Sequence, residues 1–409
     1  MCKVKTRSRF GKHATSKVVA ALLRAKYAKA FCGPRARALP ESLLREHNVR
    51  TTYWKCWKAK ELAVETAQGT DESSFSLLSV YLHVLQLANP GIIYHLKTEI
   101  DEVGDERFKY VFLAFGVSVK GLKFLRRVVV VDGTHLFGKF LGYLLTASCQ
   151  DANFQIFPIA FAVVDSETDE SWSWFMNKLS EIIKDGPDLT FVSDQNQSIF
   201  KVVSLVFNQA HHGACLVHIK RNVKGRYGKK SGLPALVWQA GNSFRIKDFD
   251  DICERIKKRN MGCWKYIEEM RLANWSRVHF TGERYNLMSS NIAESLNNAL
   301  LPARGSPVVA LLEFIRKMLA RWFESRRLKI SRLVGDILIA VKRELMKRFK
   351  GGLGMSVLAV GAWDFEVVAK DGVALVWNFR KSEYRVRMQW LQLIIGVWNS
   401  ELWLERCIG

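Results

Sequence analysis

Several features that would narrow the function are missing from this sequence. Its 8 cysteines are irregularly spread and include no Cys-x-x-Cys pair, which argues against a disulfide framework and points to a reducing compartment. No apolar run approaches the ~18 residues of a membrane span, and MCKVKTRSRFGKHA lacks the apolar core of a secretory signal. We find no internal repeat and no low-complexity tract. Acidic residues are also scarce beside basic ones, at 39 against 62, for a formal charge of +23. Such an imbalance attracts polyanions whatever the fold, so nucleic acid is the expected partner. Residues 1–60 hold 16 basic and 2 acidic side chains, which also fits a solvated basic tail. The expectation is a soluble, nuclear, DNA-binding protein without membrane contact; a homo-oligomer is left open.

What is present is a change of texture along the chain. Residues 14–30, PESLLREH and YWKCWKAKELAVETA have apolar positions at helical spacing. SSFSLLSVYLHVLQLA is a further amphipathic helix, stopped by Asn89-Pro90-Gly91. From about residue 105 strands take over. FKYVFLAF leads toward RRVVVVDGTH, followed by 142–150 and 156–165 as a meander. The helix DESWSWFMNKLSEIIK, the strand 189–194, the helix QSIFKVVSLVF and a fifth strand over 213–219 follow. A helix between the third and fourth strands permits a crossover that lays the fourth parallel to the first. Asp132 and Asp194, each near the carboxyl end of its strand, would then sit together.

Ligands of open α/β sheets gather outside the carboxyl ends of the strands. Two carboxylates there would repel each other unless a divalent cation intervened, and oxygen ligands suit Mg²⁺ or Mn²⁺. Asp132-Gly133 also reads as an ordinary turn pair. Glu294, in MSSNIAESLNNALL, is a third carboxylate on a predicted helix, but with Asn291 as N-cap it equally completes a capping box. Cys215-Leu216-Val217-His218 is half of a zinc pattern by spacing, more often structural when alone, and no zinc site is assigned. Lys220, Arg221, Lys224, Arg226, Lys229 and Lys230 follow as phosphate contacts or a solvated helix face. Trp238, Trp264 and Trp275 read as core rather than base-stacking side chains.

The stretches VVVVDGTHLFGKFLGYLLTASCQDANFQIFPIAFAVVDSETDESWSWF, FVSDQNQSIFKVV, HHGACLVHIKRN and SSNIAESLNNAL, in this order, resemble the core of plant Mutator-like element transposases, with a weaker likeness over about residues 14–325. The resemblance implies an α/β, ribonuclease H-like mixed sheet of order 3-2-1-4-5, with a helical insertion and basic helical flanks. It also implies an Asp-Asp-Glu triad at Asp132, Asp194 and Glu294, separated by 62 and 100 residues. The triad would hold two Mg²⁺ or Mn²⁺ ions, with His218 an active-site neighbour in a catalytic role and Cys215 beside it.

The organisation that follows is a basic helical module over 1–70, a linker over 71–125 and the first part of the core over 126–220. A helical insertion over 221–286, core completion over 287–350 and an atypical tail over 351–409 complete it. The family's flanking zinc modules are absent from the sequence. The expected activity is metal-dependent DNA strand cleavage and strand transfer at terminal inverted repeats. The alternatives are a catalytically silent, truncated or domesticated transposase-derived regulator, and a general nuclease of the same fold.

Overall fold

Four consecutive valines, Val128–Val131, are at most 1% exposed, so the strand they start is covered on both faces, as a β-branched run predicts. The computed structural model describes residues 15–28, 34–47, 49–137, 141–332, 339–360, 364–368 and 374–378.

An N-terminal helical group precedes the sheet: α1 (Ser16–Ala28), α2 (Leu39–His47) and α3 (Tyr53–Gln68). Their apolar faces close on a small core of Val19, Leu23, Leu39, Leu43, Cys56 and Ala59. Next comes α4 (Asp71–Ala88), started by a Thr70–Ser73 capping box and ending at Asn89 before the proline.

The sheet has seven strands: β1 (Ile93–Ile100), β2 (Glu106–Ala114), β3 (Val128–His135), β4 (Tyr143–Gln150), β5 (Ile156–Val164), β6 (Thr190–Ser193) and β7 (His211–Ala214). Their order is β1-β2-β5-β4-β3-β6-β7. β3, β4 and β5 form an antiparallel meander, whereas β6 lies parallel to β3 and β7 parallel to β6. β1 was not anticipated: it pairs antiparallel with β2 and extends the sheet beyond β5.

The crossover from β5 to β6 runs through α5 (Asp169–Ser180), and that from β6 to β7 through α6 (Gln197–Val206). Trp172, Phe175, Met176 and Leu179 of α5 are fully buried with Val129, Val131 and Phe191 on one face of the sheet. The predicted helix is three residues too long, since α5 ends at Ser180 and Ile182 and Ile183 pack from the loop beyond.

Two predicted elements need correction. The fifth strand stops at Ala214, and a helix, α7 (Leu216–Tyr227), begins two residues later. Apolar run length could not separate strand from helix here; Leu216, Ile219 and Val223 follow helical spacing into the neighbouring core. Asp132-Gly133 forms no turn, because β3 continues to His135 and Gly133 pairs with Leu145. A Cβ at Gly133 would lie 3.0 Å from Glu167 Oε1, so the glycine admits a neighbouring carboxylate.

A helical region follows: α7, α8 (Leu233–Asn242), α9 (Ile246–Arg259), α10 (Met261–Glu269) and the short α11 (Leu272–Trp275). It has its own core, in which Trp275 is fully buried, Trp264 nearly so and Trp238 partly. The chain then returns to the sheet's other face with α12 (Asn291–Leu300) and α13 (Val308–Ser331). Leu296, Leu300, Leu311 and Ile315 pack there with Val111, Leu113 and Phe161.

The contact pattern separates residues 151–155 and 327–409 as a second unit. Its described parts are α14 (Ile339–Gly352) and a three-stranded antiparallel sheet of β8 (Ser356–Ala359), β9 (Asp364–Val368) and β10 (Ala374–Asn378). The tryptophan-rich stretch after residue 378 lies outside the described residues. Among the described residues no helix is long and apolar enough to cross a membrane.

The insertion core gives a direct test. Trp275 is fully buried and its indole N–H donates to the Ile267 carbonyl at 3.1 Å. We expect Trp275→Ala to cost about 3–5 kcal/mol, as large aromatic truncations do, read by urea unfolding followed by tryptophan fluorescence. A loss below about 1 kcal/mol would contradict this burial.

Candidate functional site

Side-chain alternation decides where the carboxylates point. Val129 and Val131 face α5 and α6, whereas Val128 and Val130 face the opposite side, where they meet Val192 of β6 and Ile292 and Ala293 of α12. Asp132 continues the second series, because residues two apart on a strand share a face. Asp194, two beyond Val192 and just past the end of β6, leaves on the same side. Both aspartates therefore emerge toward α12 from adjacent parallel strands.

Helix α12 turns two polar residues, one helical turn apart, to this side. Asn297 Nδ2 donates to Asp132 Oδ2 at 2.8 Å, while Asn297 Oδ1 is buried with no hydrogen-bond partner. Glu294 is gripped by Arg221, whose two terminal nitrogens donate to its two oxygens at 2.7 and 3.1 Å. His218 Nε2 lies 3.5 Å from Glu294 Oε1. The predicted capping box is not formed: the N-cap is Ser290, which makes no side-chain cap bond. Glu294 is thus spent on Arg221 rather than on its own helix terminus.

The first turn of α7 completes the cluster. Cys215 caps this helix and is fully buried. The Ser290 N–H donates to its sulfur at 3.1 Å. Burial acts to raise the thiol, but hydrogen bonds from His218 and Ser290 outweigh it and bring it down to about 7. The same bond to Cys215 is the main cause raising His218, against burial, with Asp194 and Asp132 adding to it. Since α7 is a helix, His218 stands on its inner side rather than bracing a strand.

The end of β6 is fixed by its own loop. The Asn196 N–H donates to Asp194 Oδ1 at 3.0 Å, and Asn196 Oδ1 caps α6 by accepting from the Ser198 N–H. Gln195 reaches the other way and accepts from Asn222 of α7. Asn196 Nδ2 also donates to Glu167 Oε1 at 3.1 Å, and the Trp172 indole donates to the same oxygen at 3.2 Å. Burial, and then the charge of Asp194, raise the Glu167 carboxyl.

Asp132 carries the largest strain. Burial first, then Asp194, and to a smaller degree Glu167 and Glu294, push its carboxyl up to about 7, with His218 opposing. Converging carboxylates in a half-buried site call for a compensating cation. The donor set, all oxygen, with an orphaned Asn297 Oδ1 beside Asp132, fits a hard divalent ion. Asp132 and Asp194 would hold such an ion, and Glu294 could join on leaving Arg221. As arranged here, no group of three or more His, Cys, Asp or Glu among the described residues encloses an ion-sized space.

The structure therefore gathers Asp132, Asp194, Glu294, His218 and Cys215 in one neighbourhood. The six basic residues are all exposed but divide by place. Arg221 is engaged with Glu294, Lys220 lies over Trp238 at 5.1 Å and Arg226 over Tyr266 at 4.1 Å. Lys224 stands on the same helix, and Lys229 and Lys230 in the turn after it. Sequence reasoning missed Glu167 and Asn297. Asn297 was detectable as the residue three after Glu294 on one helix face. Glu167 lies in an acidic turn with no periodic signal.

Residues 128–222 match the family model of the MULE transposase domain. The chain carries a MULE transposase domain. The matched segment includes Asp132, Asp194, Cys215, His218 and Arg221 and ends before Glu294. Protein FAR1-RELATED SEQUENCE 6 of Arabidopsis thaliana is 26% identical over 149 residues, which is 36% of this chain and 20% of that protein. The matched stretch thus spans about a fifth of that relative, and the likeness bears on the MULE domain rather than on a whole protein.

The strain at Asp132 sets a pH dependence. A folded-state value of about 7 lies above the ~3.9 of an unfolded aspartate. Stability from the protonated form is therefore fully present below pH ~4 and is lost as pH rises through about 7. We expect Asp132→Asn, in EDTA, to melt above the wild type at pH 8, with the gain shrinking toward pH 4 in scanning calorimetry. An equal difference at both pH values would contradict the strain.

Proposed function

We propose that this chain is the core of a Mutator-like DNA transposase that cleaves and transfers DNA strands by metal-dependent phosphoryl transfer. The sheet would be a ribonuclease H-like one, interrupted by the helical region before the last carboxylate. The observation that carries the reading is the convergence of Asp132 and Asp194, from adjacent parallel strands, on the helix bearing Glu294. A pair of bound Mg²⁺ or Mn²⁺ ions would supply an activated oxygen nucleophile and stabilise the leaving oxygen.

The chain's own residues do the rest. Asp132 and Asp194 offer the ion-holding oxygens, with Asn297 orienting Asp132 through its amide. Glu294 completes the set after exchanging Arg221 for a cation. Arg221, once free, is placed to meet a DNA phosphate, for which its planar fork is suited. His218, held by Cys215 and Ser290, faces Glu294 and can orient a phosphate or a water. The basic excess supports DNA as partner, with terminal inverted repeats as the expected ends and the nucleus as the place of action.

A second reading rests on the Arg221–Glu294 pair itself. A carboxylate held by two charge-assisted bonds is withdrawn from catalysis, as in a transposase-derived regulator that binds DNA without cutting it.

One experiment separates the two. Full-length protein is incubated with Mn²⁺ and DNA carrying candidate terminal repeats, and wild type is compared with Asp132→Ala and Asn297→Ala. The transposase reading expects nicking that Asp132→Ala abolishes with binding retained. Asn297→Ala should slow it by about 10–100-fold, the usual effect of losing an outer hydrogen bond to a ligand. Tight binding with no nicking by any protein sinks the transposase reading in favour of the regulator. Metal-dependent cleavage without repeat preference or strand joining points instead to a general nuclease.

A further inference from the structure

A second feature of the helical region lies apart from the carboxylates. The end of α7, the turn after it and the end of α9 surround an open cavity of about 590 Å³. Its wall includes Arg226, Tyr227, Lys230, Gly232, Arg259 and Asn260, and no acidic side chain lines it. Among the described residues none of the three cations forms an ion pair, whereas Lys257, one turn before, is paired with Glu254 at 2.8 Å. Three uncompensated positive charges around one opening attract an anion.

Their placement is built rather than incidental. The Arg226 guanidinium rests on the Tyr266 ring at 4.1 Å. Arg259 Nη1 donates to the Ser231 carbonyl at 3.3 Å. It can lie there because residue 232 is glycine: a Cβ at that position would stand 2.4 Å from Arg259 Nη1. Gly232 also has φ +73°, a backbone state that other residues adopt at a cost. Basic residues commonly complement the negative end of a helix, which accounts for Arg226 and Arg259 ending α7 and α9. It does not account for Lys230, which sits in the turn between helices.

We propose that this cavity binds a phosphate of a nucleic-acid strand, as a second contact point beyond the carboxylate cluster. The proposal rests on the DNA reading above and deepens it. The ligand chemistry is a phosphate ester, which a free mononucleotide also offers. The strand is favoured because the cavity is open and polar, whereas small-molecule sites are enclosed and mostly apolar. The helix supplies a second reason. Arg226 stands five residues after Arg221 on α7, about 7.5 Å along the axis at ~1.5 Å per residue. That is about two nucleotides at ~3.4 Å each, so a strand lying by Glu294 reaches the cavity without a detour. Tyr227 offers its ring to the adjoining sugar or base.

The test uses full-length protein and a fluorescent single-stranded oligonucleotide, with anisotropy recorded across a salt series. Lys230→Glu/Arg259→Glu is compared with the charge-matched control Lys120→Glu/Lys123→Glu, and Lys230→Ala/Arg259→Ala serves if charge reversal lowers the melting temperature. We expect the cavity variants to bind about tenfold more weakly, with the salt slope reduced by about 1.4 for two lost phosphate contacts at ~0.7 each, while the control changes by less than about threefold. Equal losses in cavity and control variants overturn the proposal and leave DNA binding intact. No binding by wild type overturns the cavity and the DNA reading together. Calorimetry with dAMP is the second arm: tight mononucleotide binding lost in the cavity variants, with oligonucleotide affinity unchanged, overturns the strand in favour of a free nucleotide.

Discussion

Repulsion between Asp132 and Asp194 is the constraint around which the rest of this structure is arranged. Parallel pairing of β3 with β6 brings the two carboxylates to one side of the sheet, and burial denies them the water that would screen them. Each neighbour answers that strain in part. Asn297 donates to Asp132, the Asn196 backbone to Asp194, and His218 contributes positive character from α7. None of these removes the conflict, which leaves Asp132 far above the usual carboxylate range. A site that keeps such a conflict is a functional candidate because a purely structural role would have replaced it with an apolar pair.

Helix α7 links this conflict to the helical region. Its first turn holds Cys215 and His218 against Ser290, its middle carries Arg221 to Glu294, and its end delivers Arg226 to the cationic cavity. Leu216, Ile219 and Val223 anchor its inner face in the core with Trp264 and Trp275. One rigid rod thereby sets the spacing between two charged regions of opposite character. The Arg221–Glu294 pair is where they meet, and the competition between a guanidinium and a cation for that carboxylate separates an enzyme from a DNA-binding relative.

Much of this was legible along the chain. The valine run before Asp132, the helical spacing of Trp172, Phe175, Met176 and Leu179, and the Asn-Pro-Gly stop each carry a local physical signature, and each has its counterpart in the fold. The errors fall where local signals conflict. Asp132-Gly133 has turn chemistry but sits inside a strand, because its neighbours on both sides are paired. GACLVHI is apolar enough for a strand, yet the chain bends at Cys215 and the remainder winds into a helix whose apolar face finds the insertion core. The capping box at Glu294 is chemically sound but loses to two charge-assisted bonds from Arg221.

By itself the sequence determined the positive charge, the burial of the valine strand, the helical periodicities and the motif order of a MULE domain, since each depends on residues close together in the chain. Only the tertiary structure decided that Asn297 and Glu167 stand by the aspartates, that Arg221 grips Glu294, and that Arg226, Lys230 and Arg259 share one cavity. Those partners are separated by up to 165 residues, as Asn297 and Asp132 are. Pairing at such a distance is set by strand order and helix packing, which no local pattern encodes.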